Sequence, residues 1–368
     1  MLEKGKIGAG QFMKLVILFN IGSSILLTPN ILTSGAKQDA WIASILGMGI
    51  GLLLVWIYNI LGSQFPQMTL VEYSQKILGK WAGKAVSFLF FIFTFTLSAL
   101  VLRNIGDFTE SAIFPETPIK AIHIVFLLIL IIGVRYGLEN IARTSEIFFP
   151  WVIILFSIFV LLLSPQVEME KLQPILSKGI KPVIHATVPY IGFPFLELIL
   201  FLMIFPYVNR KEEARKAFFI GTFIGSTVLT ILTIMAILIL GFEETSSNLY
   251  ASFEMAKKID IGEIIQRVES IIAVIWIITI YFKLSVCFYV SVLCFAQTFE
   301  FNNYRVLTLP LGMILVIYSI IITPNVGYLI TFNGKIWTPY ALTYGLFLPL
   351  LLLGVNLLKK RFSRSSKL

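Results

Sequence analysis

The feature that most narrows the possible folds is a succession of apolar runs, each about 20 residues long, separated by short polar stretches. Coiled as an α-helix at about 1.5 Å per residue, a run of that length crosses the roughly 30 Å of hydrocarbon in a bilayer. Runs near residues 11–33, 41–62, 84–104, 119–134, 146–164, 186–207, 216–241, 266–295, 306–323 and 339–358 predict ten transmembrane helices. With 57% of residues hydrophobic and 13% charged, the chain carries more apolar surface than a water-soluble core can hold. The longest polar stretches, 63–83, 165–185 and 242–265, are too short for a soluble domain. Residues 1–368 therefore read as one all-α integral membrane domain in a lipid bilayer, with approximate halves 11–164 and 186–358.

A net charge of +9 invites a nucleic-acid reading, but the charges sort by side of the membrane. With the N-terminus in the cytoplasm, Lys4, Lys6, Lys76, Lys80, Lys84, Arg210, Lys211, Arg215, Lys216, Lys359, Lys360, Arg361, Arg364 and Lys367 all fall inside. Asp107, Glu110, Glu116, Glu243, Glu244, Glu254, Asp260 and Glu263 are expected in outer loops. This is the positive-inside bias, which places both termini in the cytoplasm and leaves no basic surface for nucleic acid. The first ten residues are polar and lead into a span with no small-residue cleavage motif after it, so that span reads as a retained helix.

Metal and disulfide chemistry find no footing in the pattern. Cys287 and Cys294 are seven residues apart on one predicted helix, about 10 Å of axial rise and too far for a disulfide. His123 and His185 sit alone near predicted membrane boundaries, without a second ligand at helical or loop spacing. No metal or cofactor is expected.

Two polar stretches carry structure of their own. In TLVEYSQKILGKWAGK, Leu70, Tyr73, Ile77 and Trp81 share one helical side, and Lys76, Lys80 and Lys84 another. That pattern predicts an amphipathic helix at the cytoplasmic interface. The acidic stretch from Glu243 to Glu263, with a short helix around Leu249 to Lys258, is expected to cap the outer side.

The first and sixth spans are irregular. The first reads IGSSILLTP, with Gly22, Ser23, Ser24, Thr28 and Pro29; the sixth carries Pro189, Gly192 and Pro194. Proline removes a backbone donor and glycine releases the helix, so both spans are expected to break. Freed backbone groups at membrane depth survive only where they are buried in protein or line a cavity. The two breaks open corresponding halves of five helices, the arrangement expected of a structural repeat, and they point to a ligand site between them. The plain alternative is a pair of ordinary proline kinks.

Glu197 and Lys283 are charges within the hydrocarbon, where each costs several kcal/mol. Glu197 is a candidate contact for a ligand ammonium, and Lys283 stands where a coupling cation would act. They also qualify as partners in a structural ion pair, and the two roles are compatible. Of the neighbouring aromatics Phe193, Phe195, Trp276 and Tyr281, Phe193 is the strongest ligand-binding candidate.

The ordered set IGSSILLTP, EYSQKILGKWAGK, KLQPILSKGIKPVIHA, FPFLELILFLMIFPYV and NLYASFEMAKKIDIGEIIQRVESIIAVIW resembles the B subunits of GerA-type spore germinant receptors. These belong to the amino acid–polyamine–organocation superfamily. The resemblance runs over nearly the whole chain. It implies a leucine-transporter-type fold of five plus five inverted repeats with broken first and sixth helices. It also implies a nutrient sensor in the spore inner membrane that binds a small molecule, commonly an amino acid. The implied partners are an A subunit in the membrane and a lipoprotein C subunit. The matching pocket positions are Gly22, Ser23, Ser24, Gly192, Phe193, Phe195 and Glu197, with Thr94 and Ser98 on the third span. Gly-Ser-Ser stands where several relatives have Gly-x-Gly, which leaves the ligand open. An amino-acid permease working alone, and a structural partner with a decayed pocket, are the competing readings.

Overall fold

Among the residues described in this computed structural model (2–3, 5–258 and 268–365), backbone hydrogen bonds are satisfied almost entirely by helices, as a bilayer demands. The first half comprises α1 (Ala9–Ile21) and α2 (Ser24–Ala36), which together make one broken span, followed by α3 (Ala40–Gln64). After them come α4 (Leu70–Leu78), α5 (Lys80–Phe108), α6 (Ile119–Tyr136) and α7 (Leu138–Leu163). The second half opens on another broken span, α8 (Lys181–Gly192) and α9 (Phe201–Ile204), and continues with α10 (Lys211–Leu240). Then follow α11 (Phe242–Ser247), α12 (Ala251–Lys257), α13 (Glu269–Thr298) and α14 (Thr308–Ile321). A last span, 334–362, joins α16 (Thr338–Leu342) to α17 (Leu348–Ser365), preceded by the short α15 (Val326–Phe332).

Nine segments of the described residues are long and apolar enough to cross a membrane. One of them, Ser24–Gln64, covers 41 residues because α2 and α3 meet across Lys37–Asp39, and α1 falls short on its own with 13. Pairing α1 with α2 and separating α3 restores the ten spans and the five-plus-five order.

Three elements depart from the sequence pattern. The interface helix α4 is started by a reciprocal cap in which Thr69 N–H donates to Glu72 Oε2 (2.8 Å) and Glu72 N–H to Thr69 Oγ1 (3.3 Å). It buries Leu70, Tyr73 and Ile77 as expected, but ends at Gly79, whose φ of +90° suits glycine. Trp81 therefore starts α5 and is 85% exposed, off the face it was assigned to. Asp107 is not in an outer loop: α5 extends to Phe108 and buries Asp107 against Arg103 Nε at 2.8 Å. Pro29 does not break the first span but lies inside α2. The missing N–H of Pro29 frees the carbonyl of Ile25, and Ser252 Oγ of the outer cap helix α12 donates to that carbonyl at 2.7 Å.

The expected short helix forms as α12 (Ala251–Lys257), preceded by α11 (Phe242–Ser247); Asp260 and Glu263 of the same stretch lie outside the described residues. Cys287 and Cys294 are free and buried on α13.

Candidate functional site

The first span loses its helix at Gly22 and Ser23, and α2 restarts at Ser24. At this point the stem of Lys283 from α13 crosses the gap. A methyl group on Gly22 would lie 2.6 Å from Lys283 Cδ and 2.9 Å from the Phe19 carbonyl, so only glycine lets the lysine pass. The sixth span breaks over Phe193–Phe195 and resumes as a tight 3₁₀ turn, Leu196–Leu200, which carries Glu197 at its start.

The two breaks bring the buried charges together. Lys283 Nζ stands 2.6 Å from Glu197 Oε2, with the two side chains 0% and 1% exposed. The same ammonium lies 5.2 Å from the centroid of the Phe19 ring, a cation–π contact. The pair is compatible with burial because each charge has a counter-charge, whereas either alone in hydrocarbon is expensive.

The loosened backbone is met by side chains from other helices. Trp337 Nε1 donates to the Gly192 carbonyl at 3.2 Å. Tyr58 OH of α3 donates to the Gly345 carbonyl at 2.6 Å and reaches the Leu196 carbonyl at 3.5 Å. A Cβ at Gly192 would sit 2.4 Å from Thr338 Oγ1, so the break is pressed directly against α16.

Beside Glu197 is a small cavity of about 20 Å³ lined by Ser23, Leu27, Leu97, Leu100, Val101, Asn104, Phe193, Glu197 and Trp337. That is room for a water molecule and no more. A second cavity of about 350 Å³ adjoins it, with Asn30, His185 and Pro189 among its lining residues. Leu27 and Phe193 line both cavities and form the partition between them. The larger chamber has the volume of a small-molecule site, and the smaller, inner one is closed down around its own side chains.

The expected site residues divide accordingly. Ser23, Phe193 and Glu197 line the inner cavity. Gly22 packs against the Lys283 stem and Gly192 against Thr338, and Ser24 is buried at the start of α2 with its hydroxyl unpartnered among the described residues. Phe195 points elsewhere: its ring packs on Tyr190 at 5.3 Å and lies over Gly51 of α3. Thr94 and Ser98 face α13 and not the cavity; Ser291 Oγ lies 3.0 Å from Thr94 Oγ1 and 3.4 Å from Ser98 Oγ. The stripe of α5 that reaches the cavity is Leu97, Leu100, Val101 and Asn104, at helical spacing. Asn104 and Trp337 also line this cavity, and the sequence pattern had singled out neither. Trp337 precedes the tenth apolar run, and Asn104 was the last residue of the third, where a polar side chain reads as a helix end.

A family model for spore germination proteins matches residues 6–326. The chain belongs to this family. Among relatives of the spore germination family, spore germination protein KB of Bacillus subtilis (strain 168) is 30% identical over 370 residues, covering 100% of this chain and 98% of its own. Spore germination protein YndE of the same organism is 28% identical, covering 97% and 98%. The crystal structure of MhsT in complex with L-phenylalanine superposes with a TM-score of 0.68 at 15% identity, covering 96% of this chain and 99% of that one. At that identity the likeness speaks for the fold, which is the leucine-transporter type with five plus five spans. The chain is thus an integral membrane protein of the spore germination family built on a transporter fold.

Proposed function

We propose that this protein is the nutrient-sensing subunit of a spore germinant receptor and that it binds its ligand, a small molecule of the amino-acid class, at the crossing of the two broken spans. The observation that carries this reading is the pair of cavities that share Leu27 and Phe193, the smaller of them lined by Glu197 of the buried ion pair. The backbone N–H groups of the first turn of α2 have no partners within their helix, and the positive end of the helix dipole favours a ligand carboxylate there. Glu197 offers an acceptor for an ammonium, and Leu97, Leu100, Val101 and Phe193 offer an apolar wall. Because the inner cavity holds only a water molecule, ligand entry requires Phe193 and Leu27 to move. Binding is thereby coupled to a rearrangement of both half-helices, and that rearrangement is what a sensor transmits. Binding, and not catalysis, is the primary event.

Membership of the spore germination family, with relatives such as spore germination protein A2 and GerLB, supports action beside partner subunits, which on this reading are an A subunit in the membrane and a lipoprotein C subunit. The same reading places the protein in the spore inner membrane with both termini in the cytoplasm.

The test is the nutrient response of spores carrying Leu97→Trp, which fills the inner cavity, or Asn104→Leu, which removes its amide. Loss or a shift of the responding nutrient at near-normal protein level is the expected result. Wild-type nutrient sensitivity in both variants would move the site elsewhere.

A further inference from the structure

A third cavity, of about 390 Å³, lies far from the ligand site, where the C-terminal half of α3 meets the first turns of α10. It is lined by Trp56, Asn59, Glu212, Arg215, Lys216 and Phe219. Both helix ends are on the side of the membrane that holds the N-terminal segment, since Ile7 N–H donates to the Tyr207 carbonyl and Asn209 N–H to the Ile7 carbonyl just before α10 begins. The excess of Lys and Arg assigns that side to the cytoplasm.

The lining has a definite chemistry. Arg215 and Lys216 are exposed, and among the described residues neither is held in an ion pair, although Arg210 nearby is paired with Glu213. Asn59 is 6% exposed; its amide donates to the Arg215 carbonyl at 3.2 Å, while its side-chain oxygen is buried without a partner among the described residues. A buried acceptor left open in this way is costly unless a donor reaches it. Glu212 supplies further acceptor oxygens at the same groove.

The apolar part continues into the bilayer. Trp56 is 57% exposed, in keeping with an aromatic side chain at the headgroup level. One turn deeper on the two antiparallel helices, Leu53 and Phe223 are 61% and 49% exposed, below Trp56 and Phe219 respectively. The groove thus has two cations and two kinds of acceptor at the interface and leads onto an apolar track.

We propose that this groove binds an anionic phospholipid of the phosphatidylglycerol type from the cytoplasmic leaflet. The phosphate lies on Arg215 and Lys216, a headgroup hydroxyl donates to Asn59, and an acyl chain follows Trp56 and Leu53 along α3. A zwitterionic choline headgroup places a cation against Arg215 and offers Asn59 no donor. A bare phosphate monoester satisfies the cations only.

The full-length protein, purified in detergent and titrated with chain-matched phosphatidylglycerol, phosphatidylcholine and phosphatidic acid, is read by native mass spectrometry. Phosphatidylglycerol should be retained preferentially. Each charge removed should weaken it about fivefold, so Arg215→Gln with Lys216→Gln should lose roughly 25-fold. Lys80→Gln with Lys359→Gln, which removes two charges elsewhere on the same side, should change little. Asn59→Leu should reduce phosphatidylglycerol to the level of phosphatidic acid. Arg215→Lys guards against misfolding, since it keeps the charge and should keep the lipid. Equal retention of phosphatidylcholine, or undiminished phosphatidylglycerol in the double variant, overturns the proposal. Displacement by millimolar inorganic phosphate as effective as by short-chain phosphatidylglycerol also overturns it, in favour of a soluble phosphate ligand.

Discussion

Lys283 Nζ lies 2.6 Å from Glu197 Oε2, and the stem of the same lysine fills the gap that opens where the first span gives up its helix at Gly22. One side chain therefore connects both broken spans: it neutralises the sixth and packs into the first. The structural role of the pair and the role proposed for it at the ligand site fall on the same atoms.

The pair should behave as a unit. Glu197→Gln or Lys283→Met alone leaves a buried charge without its partner, a loss of roughly 3–5 kcal/mol. The double variant should recover part of the protein level lost in each single one, measured by immunoblot of membranes. Recovery of level without nutrient response is the expected outcome if the pair also serves the ligand. Defects that simply add in the double variant would mean that the two residues do not interact.

Gly192 should tolerate no side chain while Thr338 stands against it. Gly192→Ala brings a methyl to 2.4 Å from Thr338 Oγ1 and should lower thermal stability in detergent and abolish the response. Thr338→Ala removes that oxygen and leaves Thr338 Cβ at 3.1 Å, so the double variant should recover part of the stability. No recovery would place the conflict elsewhere in the break.

The outer cap should be fastened through Ser252. Its hydroxyl satisfies the Ile25 carbonyl that Pro29 leaves open, so Ser252→Ala should cost about 1 kcal/mol and loosen α12. Faster hydrogen exchange across Ala251–Lys257 is the readout, with α4 as an unaffected reference. Restoring the α2 hydrogen bond by Pro29→Ala should make the serine dispensable; if Ser252→Ala is equally harmful with and without Pro29, the carbonyl is not what the serine serves.

Orientation can be read by labelling. In a variant with Cys287 and Cys294 replaced by alanine, a cysteine at Ser247 should react with a membrane-impermeant reagent from outside, and one at Ser365 should react only after the membrane is opened. Outside labelling at position 365 would reverse the assignment of sides.

Much of the architecture was legible because membrane helices are specified locally: apolar runs set the spans, and glycine and proline set the two breaks. Leu70, Tyr73 and Ile77 marked α4 as amphipathic, and Lys283 with Glu197 stood out because charge in hydrocarbon needs a reason. The direction in which each helix faces was not legible. Thr94 and Ser98 stand out in sequence because they are polar, and in the fold both meet Ser291 of α13. The cavity instead takes the neighbouring stripe of Leu97, Leu100, Val101 and Asn104.

The sequence by itself determined that this chain spans the membrane, how many times, and where its helices break, since those follow from hydrocarbon thickness and from single-residue backbone chemistry. Only the tertiary structure decided that Lys283 threads the gap at Gly22, that Trp337 from the last span satisfies the Gly192 carbonyl, and that Leu27 and Phe193 divide two chambers. Each of these joins residues far apart in the chain, and rotation about a helix axis is set by packing against neighbours, which no local pattern of apolar and polar residues encodes.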